Sequence, residues 1–305
     1  MEQGLLPPCG ASCTKQKAAR RANARCKNKG ETARTRAQRI SHQGRNDSMC
    51  ELFAVNAAHP VDVSHYLRTF FQHSEQHPHG WGISWREGDE IVMHKEPVRA
   101  IDSPFMRELV SQPVMHTHLL AHIRLATCGV TAYENCHPFI HTDNDGTEWM
   151  MVHNGTIFND ALTTGYDRHE AGDTDSERII LFLTDLLNAA ELRYGNDLGL
   201  AERFEALNNA IVQLSYGNKL NIILDDGEFL YVHTNTMART LYMKRENGAA
   251  IFSTQALDDS TLWQPVPTAQ LQVYRAGELV KQASPHSNIF VGCAPQNYLL
   301  LQTSA

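Results

Sequence analysis

Apolar and polar positions change period several times along residues 50–275, and each change marks an element. Leu52–Asn56 is a short, largely apolar run that reads as a strand, and Val61–Gln72 follows with helical spacing. Ile83–Arg86 and Ile91–Lys95 flank Glu87-Gly88-Asp89-Glu90, and Leu220–Leu224 and Phe229–His233 flank Asp225-Asp226-Gly227-Glu228. Both pairs are hairpin signals. His77–Gly82 is rich in turn residues and reads as a loop. Ser103-Pro104 sets an N-cap and a first-turn proline for a short helix ending near Ser111. His118–Arg124, Met150–His153, Leu241–Lys244, Ala250–Thr254 and Gln270–Tyr274 supply further strands. Asp175–Leu192 carries apolar residues at 179, 180, 183, 186 and 187, the steps of a helix, and Leu198–Leu214 is a second one. Helices grouped among antiparallel hairpins predict an α+β fold rather than a parallel βαβ array.

The pattern begins abruptly. Residues 1–49 hold almost no aliphatic or aromatic residues after Leu6, and carry 11 Lys/Arg against three Asp/Glu. Such a stretch cannot bury enough surface to offset its ordering entropy, so 1–49 is expected to be a disordered basic extension and 50–305 one folded domain. Three accounts fit the extension: a nucleic-acid-binding or transit-type tail, a pro-segment, or sequence upstream of a true start at Met49. The last needs the fewest assumptions. Cys9, Cys13 and Cys26 lack the paired spacing of a zinc knuckle. The remaining chain has 16 basic and 31 acidic residues, a balance that argues against nucleic acid as a partner of the folded domain. No apolar run spans a bilayer, no secretory signal is visible, and the seven cysteines are few and irregularly spaced. A cytoplasmic protein with free thiols is expected.

At the boundary stands Met49-Cys50. A cysteine that becomes the first residue carries a thiol and a free α-amine a few bonds apart. With the amine near pKa ~8 and the thiol near ~8.5, the amine can take the thiol proton near neutral pH. Three other stretches carry matching chemistry. Arg124 leads from a strand into Leu125-Ala126-Thr127-Cys128-Gly129, where a guanidinium can hold a carboxylate bidentately. Asn154-Gly155 ends a strand, where an amide N–H and a backbone N–H can point at one oxyanion. Gly172-Asp173-Thr174-Asp175-Ser176-Glu177 opens the long helix; its Asp or Thr suits an N-cap, and a carboxylate there can also hold an ammonium. Taken singly, each has an ordinary structural explanation.

In this order the four stretches resemble the class II (N-terminal-nucleophile) glutamine amidotransferases. Cys50-Glu51-Leu52, His79-Gly80-Trp81-Gly82 and Asn135-Cys136-His137-Pro138-Phe139 look most like the small stand-alone branch. That branch includes bacterial YafJ-type proteins and relatives that cleave γ-glutamyl bonds of thiol metabolites. The resemblance covers about residues 50–300. It implies a four-layer α/β/β/α sandwich and hydrolysis of a γ-glutamyl amide through a Cys50 thioester, with the Cys50 α-amine as base. It further implies that Arg124 and Thr127 bind the substrate α-carboxylate. Asp175 would hold the α-ammonium with help from Gly155, and Asn154 and Gly155 would stabilise the oxyanion. No cofactor is implied. The expected partners are glutamine or another γ-glutamyl small molecule and a separate ammonia-accepting synthase or subunit. Leu125 departs from the family pattern, in which many members carry Trp. An N-terminal cysteine hydrolase acting on γ-glutamyl peptides or other linear amides is the alternative.

His116, His118 and His122 alternate in a way that suggests a metal, but no acidic ligands accompany them at matching strand ends. Core or loop histidines are the expectation.

Overall fold

The computed structural model describes residues 50–88, 90–195, 198–237 and 240–292. The expectation for residues 1–49 lies outside them. Two antiparallel sheets carry the fold. The first runs, from edge to edge, β11 (Gln264–Pro265), β9 (Tyr242–Glu246), β10 (Ala249–Ser253), β1 (Glu51–Asp62), β4 (Met115–Ile123), β2 (Trp81–Glu87) and β3 (Glu90–Glu96). The second runs β13 (Glu278–Gln282), β12 (Gln272–Arg275), β8 (Leu230–Thr234), β7 (Lys219–Asp225), β6 (Glu148–Thr156) and β5 (Phe139–Thr142). Among the described residues, four α-helices accompany them: α1 (Ser64–Gln72), α2 (Pro104–Leu109), α3 (Asp175–Tyr194) and α4 (Leu200–Leu214).

The two-residue period of the strands assigns the layers. On β1, Phe53 and Val55 join Tyr66, Leu67, Phe70 and Phe71 of α1 in one apolar cluster. The alternate residues Leu52 and Ala54 turn the other way and meet Met150, Val152, Ile223 and Val232 of the second sheet. The far face of that sheet, with Met151, Leu220, Ile222 and Leu224, packs on Ile179, Leu183, Leu207 and Ile211 of α3 and α4. The layers are therefore helix, sheet, sheet, helix, the expected α/β/β/α sandwich.

Three expectations shift. Helix α1 begins at Ser64 rather than Val61, because Val61 and Asp62 still pair with His116 and Met115, and Asp62 Oδ1 accepts the Ser64 and Val114 amides at 2.9 and 3.2 Å. Trp81 and Gly82 belong to β2, not to the preceding loop. Strands β5 and β13 have no counterpart in the hydrophobic pattern; both are sheet edges, and β13 is mostly exposed. The Ser103 cap is as expected, its Oγ accepting the Met106 amide at 3.1 Å.

At the far ends of β2, β4 and β7 a buried ion group ties the sheets together. Asp225 accepts from Arg86 Nε at 3.1 Å and pairs with His118 Nδ1 at 2.6 Å. Burial favours the neutral acid, yet the His118 and Arg86 contacts outweigh it and lower the Asp225 pKa.

Candidate active site

The opposite end of β4 leads to Cys50. Glu51 pairs with Ile123 across the antiparallel β1–β4 ladder, so the residue before β1 meets the chain just after β4. The Cys50 thiol accordingly donates to the Leu125 carbonyl and accepts from the Leu125 amide, each at 3.2 Å. Both contacts are to main chain, so they do not depend on the Leu125 side chain. Burial pushes the thiol up to about 11; the Leu125 contact and Arg124 work against that rise, and Asp175 adds to it. In a chain that continues through Met49, this thiol is therefore protonated near neutral pH.

Arg124 is buried and its guanidinium is directed at its own loop. Nη1 donates to Val130 O at 2.9 Å and to His79 O at 3.4 Å; Nη2 donates to Cys128 O at 2.7 Å and to Gly129 O at 3.3 Å. His79 Nδ1 accepts the Ala126 amide at 2.9 Å. Exposed Thr127 lies across the gap between sheets, its Oγ1 3.5 Å from Thr156 Oγ1 at the end of β6.

Strand β6 delivers Asn154 and Gly155 to this end. Asn154 is buried, and its Oδ1 has no hydrogen-bond partner among the described residues. A Cβ on Gly155 would stand 2.0 Å from the Lys219 carbonyl of β7, so only glycine fits the close strand approach. Thr174, not either aspartate, caps α3: its Oγ1 accepts the Glu177 amide at 3.2 Å. That leaves Asp175 at the first helical position, where the helix dipole favours a carboxylate. Its Oδ2 accepts the Ile157 amide at 2.8 Å, joining β6 to α3.

All six residues singled out in the sequence thus lie along the ends of β1, β4, β6 and α3. Sequence reasoning missed the groups that hold them. Glu51, next to Cys50, is buried and pairs with His73 Nδ1 at 2.8 Å and Gln255 Nε2 at 2.5 Å. His153 links to Ser176 Oγ of α3 at 2.9 Å. His79 and Asn135 stood in the quoted motifs, but nothing in those motifs told what they touch.

The profile described as class II glutamine amidotransferases matches residues 49–247. The chain belongs to that family. The family's general activity is hydrolysis or transfer of the glutamine amide, and its members are enzymes. YafJ of Escherichia coli strain K12, named as a candidate glutamine amidotransferase, is 27% identical over 259 residues, covering 76% of this chain and 100% of its own. An uncharacterized protein of Methanocaldococcus jannaschii is 29% identical over 194 residues, and the chain spans only about half (52%) of that relative's length. Among solved structures, glutamine phosphoribosylpyrophosphate amidotransferase of Bacillus subtilis superposes with TM-score 0.57 at 16% identity, over 79% of this chain and 50% of that one. At that identity the likeness shows the fold, which is that of the N-terminal-nucleophile amidotransferases. No helix among the described residues is long and apolar enough to cross a membrane.

The three alternating histidines have separate surroundings. His116 stacks on Trp85 with ring centroids 5.0 Å apart, His118 holds Asp225, and His122 packs against His137 at 4.0 Å. Neither ring nitrogen of His122 or His137 has a hydrogen-bond partner among the described residues. Burial, reinforced by neighbouring histidines and Arg124, holds both rings neutral, well below the usual imidazole pKa. Both titrate near ~6.5 once unfolded, so below that pH the unfolded chain binds protons that the fold refuses, and stability falls as pH falls. Urea unfolding between pH 7 and 5 should show this, at up to ~1.4 kcal/mol per pH unit for each histidine. The slope should shrink in His137→Phe; an unchanged slope would place the titration elsewhere.

Proposed function

We propose that the chain hydrolyses a γ-glutamyl amide through a Cys50 thioester once Cys50 is the first residue. The α-amine takes the thiol proton and the thiolate attacks the amide carbon. The oxyanion is held by the Asn154 side-chain amide and the Gly155 N–H. The ammonium returns its proton to the departing nitrogen, releasing ammonia or an amine. Water, deprotonated by the same amine, then attacks the thioester and frees glutamate. Arg124 and Thr127 bind the α-carboxylate, and Asp175 and Gly155 the α-ammonium. For Arg124 this requires trading at least one loop carbonyl for the substrate, or using Nε. Ammonia would pass to a separate synthase or partner subunit. The observation that carries this reading is the Cys50 thiol, gripped by Leu125 next to Arg124, with the Asp175 carboxylate close enough to bear on its pKa.

Substrate chemistry tests it. A chain beginning at Cys50 is expected to release glutamate from one or more of glutamine, γ-glutamyl amines and γ-glutamyl peptides, and the preferred leaving group names the physiological class. Arg124→Lys keeps the charge but loses the planar fork, and Asp175→Asn loses the counter-charge. Each should lower kcat/KM by ~1–3 kcal/mol. Substrates acylated on the α-amine should be poor for the parent enzyme and insensitive to Asp175→Asn. Equal rates with and without a free α-amine would remove the two-ended clamp.

A further inference from the structure

The loop that Arg124 grips is also held from the other side. Asn135 Nδ2 donates to the Val130 carbonyl at 2.9 Å and to Asp173 Oδ1 at 2.5 Å. In return the Asp173 amide donates to Asn135 Oδ1 at 2.9 Å, and the Val130 amide donates to Asp173 Oδ1 at 3.2 Å. Both polar groups of the Val130 peptide are therefore anchored to Asn135 and Asp173. Two glycines leave room for this arrangement. A Cβ on Gly172 would fall 2.1 Å from Asn135 Oδ1, and one on Gly129, whose φ is +77°, would fall 2.6 Å from Asp173 Oδ1.

The Val130 carbonyl is thus shared: it accepts from Arg124 Nη1 at 2.9 Å and from Asn135 Nδ2 at the same distance. A carbonyl with two lone pairs and two donors loses little when one donor leaves, because the other still holds it. We infer that Asn135 and Asp173 are positioning residues that latch the 125–130 loop to the start of α3, so that Arg124 can turn a donor to the substrate without releasing the loop. The latch also fixes the loop carrying Thr127 relative to Asp175, two residues beyond Asp173. Asp173 then acts through its Oδ1 as an acceptor, and Asp175 through its charge. This inference rests on Arg124 being a carboxylate ligand, as proposed above.

The experiment combines steady-state kinetics with amide hydrogen exchange on the chain beginning at Cys50. Asn135→Ala and Asp173→Ala should each raise KM for glutamine at least about tenfold with kcat within about threefold. The double variant should be no worse than the weaker single one, because both act through one device. Asp173→Asn keeps Oδ1 and should stay within about threefold of the parent, in contrast to Asp175→Asn. Gly172→Ala, whose Cβ would press most closely on Asn135 Oδ1, should reproduce the Asn135→Ala effect. Exchange at the Val130 amide should accelerate in all but Asp173→Asn, with the amides of β6 unchanged. An unaltered KM in Asn135→Ala, or additive losses in the double variant, would overturn the positioning role. Asp173→Asn failing as badly as Asp175→Asn would assign Asp173 a charge-based role instead and overturn it too. If the parent turned over no γ-glutamyl amide, the proposed function would fall, while Val130 exchange would still decide whether the latch exists.

Discussion

Cys50→Ala is expected to abolish turnover, by at least about 10⁴-fold, since it removes the atom that would form the proposed thioester. Cys50→Ser should leave little, because an alkoxide is far harder to generate than a thiolate at the same base. Labelling separates the candidate thiols. Cys136 is buried, and burial pushes its thiol up to about 11, so it should react slowly with any reagent. Cys128 is exposed and should take a small, indifferent alkylating agent first. A glutamine-like electrophile should reverse that order and modify Cys50 ahead of Cys128, Cys136 and Cys293, with loss of activity in step. Activity surviving Cys50→Ala, with Cys128 labelled first by the glutamine-like reagent, would sink the assignment.

The second large effect concerns residues 1–49. While Met49 is attached, the Cys50 nitrogen is a planar amide without a basic lone pair. The thiol then stands near pKa 11 without the α-amine to deprotonate it, and near pH 7 its ionised fraction is on the order of 10⁻⁴. On the proposed mechanism, Met1–Met49 is expected to be absent, cleaved or inhibitory in the active form. If translation begins at Met49, ordinary methionine removal suffices, because cysteine is small enough for the cellular aminopeptidase. Two forms decide the matter: one starting at Met49, and one full-length with Met49→Leu to block internal initiation. Intact mass should show the active species beginning at Cys50, and the uncleaved long form should be inactive. A long form proved uncleaved by mass, yet hydrolysing glutamine as fast as the short one, would falsify the amine-base mechanism.

The legible parts of this protein were those governed by local periodicity and local chemistry. Helices α3 and α4 are amphipathic over 20 and 15 residues, long enough for their spacing to stand out, and both lie where the pattern put them. The hairpins were legible because Gly88 and Gly227 interrupt apolar runs. Strands β5 and β13 were not, since β5 is only four residues long and β13 is mostly exposed, so neither shows a clear alternation. The motif residues Cys50, Arg124, Asn154, Gly155 and Asp175 were visible in order, because their chemistry depends on residue type and close neighbours.

Which of those residues meet, and what holds them, was decided by tertiary structure alone. The β1–β4 register brings Leu125 to Cys50, a pairing across 75 residues that no local pattern encodes. The same holds for Glu51 with Gln255, separated by 204 residues, and for Asn135 with Asp173, separated by 38. Sequence alone could not say that Thr174 rather than an aspartate caps α3, since both residue types suit that position. Nor could it say that Arg124 is held by its own loop. A guanidinium's partners depend on which carbonyls the folded chain leaves within reach, whereas its charge and planar fork are properties of the residue itself.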